Sequence, residues 1–157
     1  MRRVARILKW LLVGLLCLLV VAQFFRPAKT NPAVDQAMTL DAHTQMSPQV
    51  AAILDRSCRD CHSNKTRWPW YSHVAPMSWF VIDHVNHGRS HLNLSEWGRY
   101  DNSEAGNQLR NMCKEVRAGV MPLDSYLLIH RNAQLSEQDV KLLCDWTNLE
   151  RGRKSSP

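Results

Sequence analysis

The stretch Cys58-Arg59-Asp60-Cys61-His62 places two thiols three positions apart with an imidazole directly after the second. This is the spacing of covalent haem attachment. Two cysteines within about one helical turn can each form a thioether to a porphyrin vinyl group, and the adjacent histidine is then held under the iron. Cys58 and Cys61 are therefore the expected anchors of one haem c, and His62 its proximal ligand. A zinc half-site expects four ligands in two pairs, but Cys17, Cys113 and Cys144 form no second CxxC. A redox dithiol opens a helix within a βαβ unit, and no strand-like run precedes Cys58.

The opposite face of such an iron needs a ligand, water or a substrate. Met121, in Gly119-Val120-Met121-Pro122, is the first choice. A thioether favours ferrous iron and raises the potential, which suits an electron carrier. Local sequence alone leaves simple core filling equally open. His91 and His130 are the alternatives. His84, His87 and His91 recur at spacings of three and four, with no carboxylate or cysteine to complete a metal site, and are expected on a solvated face. Trp68, Trp70, Tyr71 and Trp79 could pack on the porphyrin or donate to a propionate, with ordinary packing expected for at least two of them. Lys65, Arg67 and Arg89 are candidate propionate partners. Cys113 and Cys144 are either a disulfide or two small buried residues.

The elements that would position these groups read as helices throughout. Ser47-Pro48 is a helix start, a hydroxyl cap followed by proline at the first helical position. Val50, Ile53 and Leu54 continue one face and deliver the cysteines at the helix end. Pro69 and Pro76 make residues 64–75 mostly loop, and a helix is predicted from Met77 to His87, stopping at Gly88. Another runs from Ser103 to Ala118 with Leu109, Met112, Cys113 and Val116 on its apolar face and Gly119 as stop. Ser136 to Asp139 resembles a capping box opening a last helix through Val140, Leu143, Cys144 and Thr147. No segment reads as a sheet.

Arg2, Arg3, Arg6 and Lys9 precede an apolar run that reaches Phe25. From Ile7 it would cover roughly 28 Å, enough to cross a bilayer core. The cations place the N-terminus in the cytoplasm. A cleaved signal peptide ending near Val20-Val21-Ala22 is the rival, but the run exceeds the usual apolar region of about 7–15 residues. Residues 1–26 are thus expected as a membrane anchor, 27–47 as a flexible tether, 48–150 as the haem domain and 151–157 as a basic tail. Outside the cytoplasm, a CxxC is oxidised, metal-bound or consumed by haem.

The formal charge of +6 over 157 residues invites a polyanion-binding reading that its placement excludes. Between residues 30 and 150, eleven basic residues meet all fourteen acidic ones, so the globular part is net negative and no nucleic-acid partner is expected.

The same residues carry a family resemblance. The Cys58–Asn64 segment, Thr66-Arg67-Trp68-Pro69-Trp70-Tyr71-Ser72, Ala75-Pro76, Ser78-Trp79, Gly88-Arg89, His91-Leu92-Asn93 and Ser95-Glu96-Trp97 resemble the bacterial haem-binding domain family of membrane-anchored c-type cytochromes. Gln23-Phe24-Phe25-Arg26-Pro27, Gly119-x-Met121-Pro122, Leu135-Ser136 and Trp146 look like it as well. The likeness spans most of residues 20–150. It implies an all-α, small cytochrome c-like helical domain behind one N-terminal transmembrane helix of the bacterial inner membrane, facing the periplasm.

The leading expectation is a monohaem carrier of single electrons between redox partner proteins at the membrane, with no catalytic base of its own. In the enzyme alternative the distal ligand opens to peroxide and His91 or His130 assists cleavage. In the sensor alternative the haem binds a gas, or labile haem is bound, and partner binding changes.

Overall fold

The computed structural model describes residues 2–155, with side chains through Arg153, so Met1 and the last residues of the expected basic tail lie outside the described residues. Every regular element among them is helical. Helix α1 (Arg2–Ala22) is followed by one tight turn, Gln23–Phe25, and none of its side chains is buried by protein. Its 21 residues rise about 31 Å, the thickness of a hydrocarbon core, and the run is long and apolar enough to cross a membrane.

Residues 27–47, expected as a flexible tether, are instead packed onto the domain from Thr30 onward. Arg89 donates to Thr30 O and Asn31 Oδ1, and Asn31 donates to Thr66 O. Leu40, the first residue of the one-turn helix α2 (Leu40–His43), is fully buried, and its N–H donates to Leu94 O at 2.8 Å. Trp146 holds the end of the segment through Gln45 O. An apolar anchor and several satisfied backbone groups account for the order.

Helix α3 (Pro48–Ser57) starts as the sequence predicts, with Ser47 Oγ accepting from Val50 N, and buries Val50, Ile53 and Leu54. Cys58 leaves helical geometry, and a single turn, α4 (Arg59–His62), completes the motif. Helix α5 (Met77–His91) runs straight through Gly88, where the sequence predicts a stop. The glycine serves a close approach rather than a cap, because a Cβ there would lie 2.8 Å from Cys61 O.

Helix α6 (Asn102–Arg117) is opened by a complete capping box between Asp101 and Glu104 and closed by Gly119 at φ +67°. After the one-turn helix α7 (Asp124–Leu127), helix α8 (Glu137–Ser155) begins at the expected capping box, with Ser136 and Asp139 exchanging bonds. It also takes in Arg151 and Arg153, which the sequence assigns to a tail. Helices α6 and α8 pack side by side, joined by a Cys113–Cys144 disulfide, with α3 against α8. Leu54, Trp97, Leu109 and Leu143 fill the core between them.

Candidate functional site

The turn from α3 into α4 is held by its own backbone. Cys61 N and His62 N both donate to Cys58 O, at 3.2 and 2.9 Å, which presents both thiols and the imidazole together. Ser63 closes the turn by donating to Arg59 O and accepting from Lys65 N. Beyond it, Asn64 and Asn93 form a buried polar knot: Asn93 Nδ2 donates to Asn64 Oδ1 at 2.9 Å, Asn93 Oδ1 accepts from Ser95 N, and Ser95 Oγ accepts from Asn64 N. Leu94 N donates to His62 O. These buried polar groups satisfy one another and fix the chain on both sides of the motif.

His62 is oriented by the end of α5. Its Nδ1 donates to Gly88 O at 2.9 Å and Leu92 O at 3.1 Å. Burial holds its pKa below the usual histidine range, against the pull of those two carbonyls. The imidazole is therefore neutral with the proton on Nδ1, which leaves the Nε2 lone pair for a metal. Gly88 makes this possible, since any side chain there would push α5 off Cys61.

Cys58 and Cys61 are free thiols. Burial pushes Cys58 up to about 12, with Cys61 adding, and burial pushes Cys61 up to about 11, with Asp60 adding. Such an environment favours sulfur in an uncharged form, as in a thioether. Among the described residues no group of three or more His, Cys, Asp or Glu is placed to hold a metal ion.

These residues line one cleft of about 670 Å³, within the range of small-molecule and cofactor sites. Ser57, Cys58, Cys61 and His62 form one wall, which α5 extends through His84, His87, Gly88, His91 and Leu92. Helix α6 contributes Met112 and Val116 inside, with Gln108, Asn111, Lys114 and Glu115 at its polar edge. Met121, Pro122, Leu123 and Tyr126 make the remaining wall, with Leu135 and Leu143 between. Met121 arrives there because Gly119 reverses the chain and Val120 N and Met121 N both donate to Glu115 O. A soft sulfur donor and a neutral imidazole in one apolar cleft, beside two uncharged thiols, is a donor set that fits haem.

The structure thus brings Cys58, Cys61, His62 and Met121 together. It does not bring Trp68, Trp70, Tyr71 or Trp79 into the cleft. Trp70 is 79% exposed, Trp79 Nε1 donates to Phe25 O, and Tyr71 stands between the Trp70 and His130 rings. Of the four, Trp79 is tied to the turn after α1. Arg89 and Arg67 are also committed elsewhere: Arg89 to Ser63 O and Thr66 Oγ1, Arg67 to Asp60 and Asp55 O. His130 stacks on Tyr126 outside the cleft, at 4.1 Å between ring centres. His91 does line it, on the same turn of α5 that holds His62.

Sequence reasoning missed Gly88, Leu92 and Tyr126. Tyr126 donates to Asp60 Oδ2 at 3.0 Å, and burial with the nearby Asp60 charge keeps its phenol protonated. Asn93, two residues before a serine, was a readable Asx-turn signal. The carbonyl acceptors carry no side-chain signature at all.

Residues 17–149 match the model of a family described as a haem-binding domain. Neither the curated proteins nor the solved structures hold a match to the chain.

Proposed function

The chain belongs to the haem-binding domain family, and from that premise we propose that it is a membrane-anchored monohaem c-type cytochrome that passes single electrons to and from redox partner proteins. Residues 1–26 are the anchor, and the haem domain, which takes in the packed segment from Thr30 onward, faces the periplasm. The observation that carries this reading is the cleft in which Cys58, Cys61, His62 and Met121 meet, with His62 Nδ1 already committed to Gly88 and Leu92.

Cys58 and Cys61 would hold the haem by thioethers, and His62 Nε2 and the Met121 sulfur would be the donors to its iron. The bound haem supplies one-electron chemistry at iron, cycling between ferric and ferrous states. The protein binds, orients and insulates. The α5 carbonyls hold the imidazole so that little has to move when the iron changes charge. Met112, Val116, Leu135 and Leu143 keep the interior dry, which favours the less charged ferrous state. The Cys113–Cys144 disulfide supports a place outside the reducing cytoplasm, and the cations before α1 support a cytoplasmic N-terminus.

The full chain produced with haem-maturation machinery tests this. Expected are an intact mass increased by one haem, a pyridine haemochrome of the thioether type, a reversible one-electron titration, and a near-infrared sulfur-to-iron band. Haem lost to acid-acetone would overturn covalent attachment. A high-spin ferric spectrum with steady peroxidase turnover would favour the enzyme alternative.

A further inference from the structure

The apolar residues left uncovered by the domain are concentrated where the chain leaves α1. Trp70, Val74, Met77, Trp79 and Phe80 are all exposed, as are Phe24 and Phe25 directly after the apolar helix. The two groups are bonded together. Gln23 donates to Ala75 O at 3.2 Å and accepts from Ala75 N at 3.0 Å; Trp79 Nε1 donates to Phe25 O at 2.9 Å; Arg26 donates to His73 O. Residues 70–80 are therefore fixed at the level where α1 ends. Arg26, Lys29 and His73 edge the patch with basic groups, and α5 turns polar only at Asp83, about one turn beyond Phe80.

Aromatic side chains with one polar end, flanked by cations and level with the end of a spanning helix, suit the headgroup region of a bilayer. A water-exposed patch of this kind would be costly in a domain that floated free. We propose that the face bearing Trp70, Val74, Met77 and Phe80 rests on the phospholipid surface through which α1 emerges, seating the haem domain on the membrane. This rests on the reading of Arg2–Phe25 as a bilayer span. The partner is lipid: the face is bonded to the end of α1 through Gln23, Arg26 and Trp79, and the basic Arg26 and Lys29 beside it complement phosphate headgroups.

The test is radiolytic hydroxyl-radical footprinting of the full haem-loaded chain, one copy per nanodisc of phosphatidylethanolamine and phosphatidylglycerol, with oxidation normalised to each residue's intrinsic reactivity. Oxidation of Trp70, Met77 and Phe80 is expected to fall to the level of Trp10 within α1, while Leu149, exposed on α8, stays reactive. If Trp70, Met77 and Phe80 react like Leu149 while Trp10 is protected, the seating is wrong and the anchor survives. If Trp10 itself is oxidised, the anchor fails and the seating with it. Protection that arises only with several copies per disc would mean a second copy of the chain covers the face, and also overturns the proposal. In a Trp70→Ser, Phe80→Ser double variant with an unchanged haem spectrum, Met77 and Trp79 should lose protection; retained protection removes these side chains from the contact.

Discussion

The two walls of the cleft are built on opposite plans. The histidine wall is a closed polar network: His62 has its Nδ1 bonded twice, Asn64, Asn93 and Ser95 satisfy one another, and Arg89 ties the following loop to residues 30 and 31. The methionine wall is held by fewer ties, Glu115 O accepting from Val120 N and Met121 N and Tyr126 donating to Asp60, and it continues into the exposed Leu128 and Ile129. The contrast assigns different tasks. On the proposed function, the first wall would hold geometry fixed while haem is attached, and the second would supply a ligand from a segment with room to adjust.

The most drastic way to break the histidine wall is Cys58→Ala with Cys61→Ala. All covalent haem should be lost, read by intact mass and pyridine haemochrome. Next comes the staple behind the methionine wall. Its cysteines are separated by 31 positions, so replacing both by Ala should cost about 3–4 kcal/mol by chain-entropy reasoning, seen as a lower denaturant midpoint with a somewhat steeper slope as the denatured chain expands. Gly88→Ala should cost about 1–3 kcal/mol, because α5 must retreat from Cys61, and the change in His62 orientation should appear in the electron paramagnetic spectrum of the ferric protein. Met121→Ala sharpens the comparison from the other side: covalent haem persists and unfolding shifts by about 1 kcal/mol or less, yet the near-infrared band disappears.

The smallest effect lies at the start of α8. Burial pushes Asp139 up, but bonds from Ser136 and Arg56 outweigh it and hold the carboxyl below its usual 3.8. A folded value below the unfolded one stabilises the protein above that range and loses its effect as pH falls through the folded value. Asp139→Ala should therefore cost about 1 kcal/mol at neutral pH, and the difference from the parent should vanish as pH drops below about 3.8.

Much of this was legible in residue types and spacing. Ser47-Pro48, the Ser136 capping box and the apolar faces of α3, α6 and α8 are local patterns, and local patterns set helices. Cys58, Cys61, His62 and Met121, which line one cleft, stand out in the sequence because each carries donor chemistry in its side chain. What was not legible depended on three-dimensional approach. Gly88 reads as a helix stop from sequence, yet it sits inside α5 because Cys61 needs its space. The tryptophan block has the composition of a cofactor pocket, but its use depends on where α1 ends, a relation across about fifty residues. Leu40 was hidden among prolines and polar residues, a lone apolar side chain with no period to reveal it.

Helix α5 has one more consequence. Met77 opens it, at the end nearest α1, and Gly88 follows eleven residues on, a rod of about 17 Å with no break between. A rod of that length is a lever: tipping its foot by about 5° displaces the far end by about 1.5 Å, enough to part a carbonyl from the imidazole it steadies. If the domain is seated on the membrane as proposed, bilayer thickness or curvature would then be felt at the His62 imidazole as a change in its orientation.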